Sequence, residues 1–294
     1  MPHKLLITGA LGQLGSAVMK LLRSDYEILT TDINDPAEVV NKDNYLELDI
    51  TDVEKIRTVI KRFDPDVLLN LAAYTDVDGC ENNPDLAQQI NFQGVANLIQ
   101  EFHGLFVQIS TDYVFDGKNG PYAEDEEINP INVYGKTKSM SEQIVAGSKN
   151  PWVILRTNVL YDSYSGTGAS FINWIRNSLN KGESIHVVVD QWNNPIWTKH
   201  MAEIIHKILF DSLTGLYHCG GRDYVNRFEF ANKVADIFGL DKTLIKPIST
   251  TELNQTAPRP SYGGLVTDKI ERITNLSMHT LDESLTALKR RMGS

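Results

Sequence analysis

The sequence predicts an α/β fold: a Rossmann-type doubly wound parallel sheet with a smaller C-terminal α/β substrate lobe. An apolar segment, residues 5–7, runs directly into three glycines spaced three apart, Gly9, Gly12 and Gly15. Short apolar segments then alternate with segments of helical spacing, which is typical of parallel strands covered by helices on both faces. After about residue 158 this rhythm changes, and prolines separate the later segments. The change indicates a second, loop-rich part of the chain.

The glycine turn predicts a nucleotide site at the first connection from strand to helix. Gly9 suits the backbone angles of a tight turn, Gly12 lets the main chain approach a pyrophosphate, and Gly15 allows close packing of helix on strand. Phosphates would lie at a helix N-terminus, where free N–H groups and the helix dipole favour anions. Asp32 ends the next strand and completes the motif. A glycine-rich turn without a ligand is the alternative reading.

The remaining elements follow from apolar periodicity. Strands are predicted at 26–31, 66–73, 105–109, 152–155 and 187–190, and helices at 52–62, 84–102 and 133–146. Residues 1–158 are expected to form the dinucleotide-binding domain, to which some later segments can return. Residues 159–294, which begin with a tract rich in Ser, Gly and Thr, are expected to form mainly the substrate-binding lobe. The reaction is expected in the cleft between them.

Composition restricts the partners. The 294 residues are 41% hydrophobic with a net charge of −10, and no basic run is dense enough to follow a phosphate backbone. Nucleic acid and anionic membranes are therefore not expected as partners. No apolar run approaches the length of a membrane span, and the chain enters its first strand at Lys4, so the expected location is the cytoplasm.

Cysteine and histidine usage argues against metal or disulfide chemistry. Cys80 and Cys219 are far apart and belong to no CxxC pair, so they are expected to be buried or idle thiols. No H-E-x-x-H pattern occurs among the seven histidines. His200 and His206 are expected on a helix surface, and no metal site is predicted.

Candidate catalytic residues occur at two places. Thr111 follows the strand predicted at 105–109, and ligands of open parallel sheets bind at the carboxyl ends of strands. Tyr134 and Lys138 stand four apart on a predicted helix and therefore share a face. A phenol titrates near pH 10, and an ammonium within about 4–6 Å, aided by a cationic nicotinamide, would lower that pKa. Tyr134 is therefore predicted as a general acid, against the alternative of an exposed helix pair.

These segments together resemble the extended short-chain dehydrogenases/reductases, and most closely the dTDP-4-dehydrorhamnose reductase family. The resemblance covers nearly the whole chain. Besides the glycine turn, it rests on Glu81, Asn91 and segments 48–52, 72–78, 110–117, 133–138, 155–157, 190–191 and 215–218.

The resemblance implies hydride transfer from a reduced nicotinamide to C4 of a 4-keto-6-deoxy sugar carried on a nucleoside diphosphate. Tyr134 would protonate the forming alkoxide, Lys138 would hold the nicotinamide ribose, and Thr111 would bind the substrate oxygen. Substrate would contact Thr111, Asp112, Val159 and Arg259, with Arg259 at the diphosphate. A homodimer is compatible with the resemblance. The residues expected to bind the cofactor are Gly9, Gly12, Gln13, Leu14, Gly15, Asp32, Asp49, Ile50, Ala72, Ala73, Tyr74 and Lys138.

The chain departs from this family on the substrate side. Val159 stands where the family usually has a tryptophan, and Asn193 stands where its Asp-Gln loop has a glycine. Near the C-terminus, Gly264 lies in the segment where a second arginine usually follows Arg259. The reaction class is expected to survive these changes better than the identity of the sugar.

The end of the second strand predicts cofactor choice. A carboxylate at Asp32 is suited to accept hydrogen bonds from ribose hydroxyls, whereas a 2′-phosphate would meet Asp32 and Asp35. Lys42 is the only cation between residues 26 and 47. NADH is therefore the expected cofactor, with NADPH also admissible. The alternative is that Asp32 merely caps the following loop.

Two other function classes stay open. One is a related nucleotide-sugar dehydratase or epimerase, but Tyr113 occupies the place where dehydratases carry a catalytic glutamate. The other is a non-catalytic regulatory subunit, because that of methionine adenosyltransferase resembles the same family. Intact Thr111, Tyr134 and Lys138 favour an active enzyme.

Overall fold

A computed structural model describes residues 3–34, 44–163 and 170–293, in which strands and helices alternate. The strands are β1 (His3–Thr8), β2 (Tyr26–Asp32), β3 (Tyr45–Glu47), β4 (Val67–Asn70), β5 (Leu105–Thr111), β6 (Trp152–Thr157), β7 (Leu160–Tyr161), β8 (Ile185–Val188), β9 (Trp192–Asn193), β10 (Ile196–Trp197), β11 (Gly215–Cys219), β12 (Val225–Asn226) and β13 (Ile245–Ile248). The helices are α1 (Gln13–Leu22), α2 (Val53–Phe63), α3 (Val77–Asn82), α4 (Pro84–Gln88), α5 (Val95–Glu101), α6 (Val133–Ala146), α7 (Phe171–Asn180), α8 (Thr198–Phe210), α9 (Arg227–Phe238), α10 (Thr250–Leu253), α11 (Asp268–Thr274) and α12 (Leu281–Gly293).

Seven strands form one parallel sheet in the order β3-β2-β1-β4-β5-β6-β11. One core packs α1, α8 and α11 against one face of the sheet, and a second core packs α2, α5 and α6 against the other. Strands buried on both faces read as continuous apolar runs, which is why the sequence shows them so clearly. The doubly wound parallel sheet predicted from the sequence is confirmed.

Elements of the C-terminal half belong either to a separate hydrophobic core or to the large sheet. A separate core brings α7, α9 and α12 together around the parallel pair β8 and β13, with Tyr161 and Phe230 fully buried in it. By contrast, α8 and β11 return to the large sheet, where β11 forms its edge beside β6. The assignment of cofactor to the first part of the chain and substrate to the second stays a prediction.

Three predicted elements differ in detail from the observed ones. Strand β4 ends at Asn70, and the residues after it line a cleft instead of extending the sheet. The helix expected at 84–102 contains a π-helical turn, Gln89–Gly94, between α4 and α5. Strand β8 covers Ile185–Val188 instead of the predicted 187–190, and after it the Asp190 carboxylate accepts a hydrogen bond from the Thr250 N–H at 3.0 Å.

The prediction for His200 is wrong. Its side chain lies on the buried face of α8 and stacks on the ring of His279, with 4.0 Å between the ring centroids. Burial lowers the pKa of His200 to about 4, so the imidazole is neutral at pH 7. His206 is partly exposed, as expected, and lies 3.2 Å from the Asp25 carboxylate. Both cysteines are free and buried.

The described residues contain neither a cluster suited to a metal ion nor a helix suited to crossing a membrane. Across 3–34, 44–163 and 170–293, no three His, Cys, Asp or Glu side chains gather in a way that would hold a metal ion. Within those same ranges, no helix combines the length and apolarity that crossing a bilayer requires.

A buried ion pair fastens α6 to the sheet. Arg156 on β6 donates two hydrogen bonds to the Glu142 carboxylate on α6, at 2.9 and 2.8 Å, and both side chains are less than a tenth exposed. Ser110 on β5 donates to the same carboxylate, and the guanidinium lies 5.1 Å from the centroid of the Phe115 ring. The contacts join β5, β6 and α6 beside the candidate catalytic residues.

Removing one partner of this pair should be strongly destabilising. In Arg156→Met the Glu142 carboxylate stays buried without its cation, and we expect the free energy of unfolding to fall by about 3–5 kcal/mol. The matched control is Arg57→Met, because Arg57 pairs with Glu54 and Glu101 on the surface and should cost far less. Urea unfolding monitored by circular dichroism measures both. Equal losses in the two variants would contradict the proposed role of burial.

Candidate active site

A cleft of about 700 Å³ opens at the carboxyl ends of the central strands. All twelve residues predicted to bind a cofactor line it: Gly9, Gly12, Gln13, Leu14, Gly15, Asp32, Asp49, Ile50, Ala72, Ala73, Tyr74 and Lys138. Of the predicted catalytic and substrate residues, the cleft also contains Thr111, Asp112, Tyr134 and Val159. Only Arg259 lies elsewhere.

The glycine turn is built for close approach. Gly9 has φ +65°, and a Cβ there would stand 2.6 Å from the backbone nitrogen of Ala72. A Cβ on Gly15 would stand 2.2 Å from the carbonyl oxygen of Ala10. Gly12 precedes α1. A Cβ on Gly12 would stand 3.5 Å from the Gly9 carbonyl oxygen, an ordinary contact distance, with no other described atom within 4 Å besides those of its chain neighbours. The turn therefore fixes β1 against α1 and places the N-terminus of α1 at the cleft, where a helix favours an anion.

Asp32 both shapes the turn and faces the cleft. Its Oδ2 accepts a hydrogen bond from the Leu11 N–H at 3.0 Å, and its Oδ1 accepts from the Asn34 N–H at 3.1 Å and from the Asn34 amide at 3.0 Å. The carboxylate thus caps the following loop without leaving the cleft wall. Asp35 and Lys42, the other charged residues considered in the prediction of cofactor choice, lie outside the described residues.

The three predicted catalytic side chains meet where β5 faces the start of α6. Thr111 and Tyr134 both line the cleft there, and Lys138 Nζ donates a hydrogen bond to the Ile109 carbonyl oxygen at 2.6 Å. Gly135 permits this approach, because a Cβ there would stand 2.1 Å from the carbonyl oxygen of Tyr113. The four-residue spacing that the sequence offered is therefore used to bring both side chains to the end of β5.

Burial dominates the protonation of this group. It raises the pKa of Tyr134 well above its ordinary value, outweighing the opposing hydrogen bond from Thr111. The direction is opposite to the lowered pKa expected from the Lys138 ammonium, and it keeps the phenol protonated, as a general acid requires. Burial also lowers the pKa of Lys138 to about 8, against the attraction of the Glu142 carboxylate.

The π-helical turn positions one wall of the cleft. Asn91, buried within it, accepts a hydrogen bond from the Tyr74 N–H at 2.8 Å and donates to the Tyr74 carbonyl oxygen at 3.0 Å. The same amide donates to Thr137 on α6 at 3.3 Å. A π turn widens a helix locally, and here it lets one side chain join the loop after β4 to α6.

Asp112 is a buried carboxyl group at the substrate side of the cleft. Its Oδ1 accepts a hydrogen bond from the Thr111 hydroxyl at 3.3 Å and its Oδ2 accepts from the Gly264 N–H at 3.2 Å. Burial raises the pKa of Asp112 to about 6, against the hydrogen bond from Gly264 and the attraction of Arg227. The hydrogen bonds and the nearby positive charge therefore do not fully offset the cost of burying the ionised carboxylate.

The positions that depart from the resembled family have distinct surroundings. Val159 and Asn193 line the cleft, and the Oδ1 atom of buried Asn193 has no hydrogen-bond partner among the described residues. Gly264 has φ +85°, and its N–H is engaged by Asp112. An arginine at position 264 would be strained in this backbone conformation.

A second cavity of about 390 Å³ adjoins the cleft. It shares four lining residues with the cleft: Thr75, Val77, Tyr113 and Arg227. Arg259, predicted for the diphosphate, lines this cavity and not the cleft, and it pairs with Asp78 at 3.0 Å. Phe171 and Trp174 form an aromatic wall, with 5.6 Å between their ring centroids.

Sequence reasoning missed Arg227. The only local signal is that it follows Asn226, which forms a capping box with Glu229 and so marks the start of α9. That signal predicts a helix and says nothing about a cleft. Arg227 reaches both cavities because the tertiary fold places α9 beside the end of β5.

Comparison with known proteins assigns the family. The protein-family model described as RmlD substrate binding domain matches residues 3–293. The chain belongs to this family. It is 32% identical to dTDP-4-dehydrorhamnose reductase of Aggregatibacter actinomycetemcomitans, over 92% of each chain. The resemblance noted in the sequence is thereby confirmed.

Two other relatives bear on function. A crystal structure of dTDP-4-dehydrorhamnose reductase from Bacillus anthracis in complex with NADP is 32% identical with a TM-score of 0.89, covering 99% of this chain and 100% of that one. Methionine adenosyltransferase 2 subunit beta of Danio rerio is 29% identical over 92% of this RmlD-family chain and 84% of its own length.

The raised pKa of Asp112 predicts a pH-dependent effect of removing its charge. The stabilisation tied to its protonated form is fully present below the unfolded pKa of 3.8 and is lost as the pH rises through about 6. Asp112→Asn does not titrate and keeps an oxygen for Gly264. The variant should therefore gain stability relative to the parent between pH 4 and 6, levelling at about 3 kcal/mol above pH 6. Denaturant unfolding from pH 4 to 8 measures the difference, and a pH-independent difference would contradict the assignment.

Proposed function

We propose that this protein is a nicotinamide-dependent reductase of the C4 ketone of a nucleoside-diphosphate 4-keto-6-deoxy sugar, as the names of its dTDP-4-dehydrorhamnose reductase relatives suggest. The observation that carries the proposal is that Thr111, Tyr134 and Lys138 line one cleft, which begins at a glycine turn. The arrangement joins a proton donor to a site that fits a dinucleotide.

The cleft fits the cofactor. The main chain at the glycine turn is open at Gly12, and Asp32 lies where a ribose would follow. Thr157 and Asn193 are buried and line the cleft with side-chain oxygens that lack hydrogen-bond partners among the described residues. Such atoms favour a polar ligand, because a buried acceptor without a donor is costly. A reduced nicotinamide would supply the hydride.

The chemistry of the chain itself is proton transfer and orientation. When a ketone is reduced, negative charge develops on its oxygen, and donors already aimed at that oxygen stabilise the transition state. Tyr134 is protonated and lines the cleft together with Thr111, so both hydroxyls can address one oxygen. Tyr134 gives up the proton, and the buried Lys138 ammonium stabilises the phenolate that remains.

The sugar nucleotide is proposed to extend from the cleft into the second cavity. The Phe171 and Trp174 rings offer a surface for a nucleobase, and Arg259 offers a cation for phosphate. This placement agrees with the expected division of the chain, with cofactor mainly on 1–158 and substrate mainly on 159–294. Assembly as a homodimer stays a prediction.

The same cleft bears on whether the protein is a regulatory subunit instead of an enzyme. The likeness to methionine adenosyltransferase 2 subunit beta favours it, but a purely regulatory role does not require the Thr111, Tyr134 and Lys138 arrangement. The dehydratase alternative lacks support at Tyr113, whose ring edge packs against Tyr134 with 5.8 Å between centroids. A phenol at that position cannot replace a catalytic carboxylate.

Replacing the proposed acid should remove turnover without removing cofactor binding. In Tyr134→Phe we expect kcat to fall by about 10²–10⁴, because the alkoxide loses its proton donor. Tyr217→Phe is the matched control, since that buried phenol donates to the Thr214 carbonyl oxygen at 2.8 Å outside the cleft. Turnover with dTDP-4-dehydrorhamnose, together with cofactor titration, tests both. A Tyr134→Phe variant that keeps more than half of the parent rate would refute this role.

Asp32 should set the choice of cofactor. We propose that NADH is preferred over NADPH by at least about tenfold in kcat/KM, or roughly 1.4 kcal/mol. A 2′-phosphate would meet the Asp32 carboxylate, and the cations lining the cleft among the described residues, Lys138 and Arg227, lie near the end of β5 instead. Asp32→Asn should reduce the preference.

The comparison of kcat/KM for both cofactors at fixed ionic strength decides the point. The Bacillus anthracis relative was solved with NADP, so the preference has to be measured on this protein and not inferred from that relative. Equal values, or a preference for NADPH in the parent protein, would mean that a cation from elsewhere reaches the ribose.

A further inference from the structure

Arg227 is the only cation that lines both cavities among the described residues. It is the first residue of α9, where its N–H donates to the Gln191 carbonyl oxygen at 3.2 Å. Its guanidinium lies 5.5 Å from the centroid of the Phe171 ring, and Tyr113 lines the same two cavities. These contacts fix the charged group at the junction of the cleft and the second cavity.

The charge of Arg227 is only weakly compensated. Within 3–34, 44–163 and 170–293, no carboxylate forms an ion pair with it, although Asp112 attracts it from a greater distance. Arg259, by contrast, is paired with Asp78. Burial lowers the pKa of Arg227, and repulsion from the Arg259 guanidinium lowers it further. Two guanidinium groups held near each other at the edge of a cavity favour an anion between them.

The proposed substrate carries such an anion in its middle. Its sugar must reach Thr111 and Tyr134 in the cleft, and its base has an aromatic wall at Phe171 and Trp174 in the second cavity. The diphosphate joins these two parts and must therefore cross the junction. Gly264 stands in the segment where the family usually has a second arginine, so a second cation has to come from elsewhere in the fold.

We propose that Arg227 binds the diphosphate of the sugar nucleotide at the junction of the two cavities and serves with Arg259 as its pair of cations. The proposal rests on the proposed function. It makes Arg227 a determinant of nucleotide affinity that is separate from cofactor binding, although its side chain also borders the cofactor cleft.

The test is calorimetric titration of the full-length protein with dTDP and with UDP, and separately with NADH and NADPH. The nucleotide that the parent protein binds more tightly is then used for the variants. We expect Arg227→Gln to weaken nucleotide binding by about 10- to 100-fold, the range of hydrogen bonds to charged groups. Cofactor affinity should change by less than about twofold, and Arg227→Lys should fall between parent and Arg227→Gln.

Arg176→Gln is the matched control. Its guanidinium also stacks on a phenylalanine, 4.9 Å from the centroid of the Phe238 ring, and it lines neither cavity. It should bind the nucleotide as the parent does. Thermal unfolding of each variant identifies any loss of nucleotide binding that comes from misfolding. Arg227→Lys keeps the positive charge and so tests the role of that charge in a second variant.

The outcomes separate the two proposals. Nucleotide binding by Arg227→Gln equal to that of the parent overturns the role of Arg227 alone. Weaker cofactor binding with unchanged nucleotide binding assigns Arg227 to the cofactor and also overturns it. A parent protein that binds cofactor but neither dTDP nor UDP overturns the proposed function, and the role of Arg227 with it.

Discussion

The close approach of α6 to the end of β5 is the constraint on which the candidate site depends. Gly135 removes the side chain that would otherwise meet the Tyr113 carbonyl oxygen. The buried pair of Glu142 and Arg156 then holds the middle of the helix to β5 and β6. With the helix fixed in this way, Tyr134 and Lys138 reach the strand end where Thr111 lies. The arrangement of the candidate catalytic residues thus depends on one contact between a helix and two strands.

In the same region, burial raises the pKa of two side chains and so favours the neutral form of each. The phenol of Tyr134 is kept protonated by burial, which suits a proton donor. The carboxyl group of Asp112 is also penalised by burial, yet the Gly264 N–H and the Thr111 hydroxyl hold it in place. An enzyme commonly retains such unfavourable groups where they face substrate, because the ligand supplies the missing partners. The Asn193 side-chain oxygen, which has no hydrogen-bond partner in the described part of the chain, is a further example.

The two adjoining cavities together form an elongated site. The cleft begins at the glycine turn and runs to Tyr134, and the second cavity continues from there to the aromatic wall around Trp174. Arg227 borders both, and Arg259 borders only the second. A long ligand with a charged middle would fit this order better than a compact one. The chain departs from its family on the side proposed to bind substrate, while the residues proposed for proton transfer match the family's pattern.

The sequence by itself determined the sheet, the glycine turn and the spacing of Tyr134 and Lys138, because these depend on local periodicity and on residues close in the chain. Tertiary structure decided what local patterns cannot carry. The return of β11 to the large sheet, the burial of His200 and the raised pKa of Tyr134 all arise from segments that pack together across long separations. Arg227 is the clearest case. Its neighbours suggest only the start of a helix, and it becomes a candidate site residue because folding places that helix beside a strand end far away in the chain.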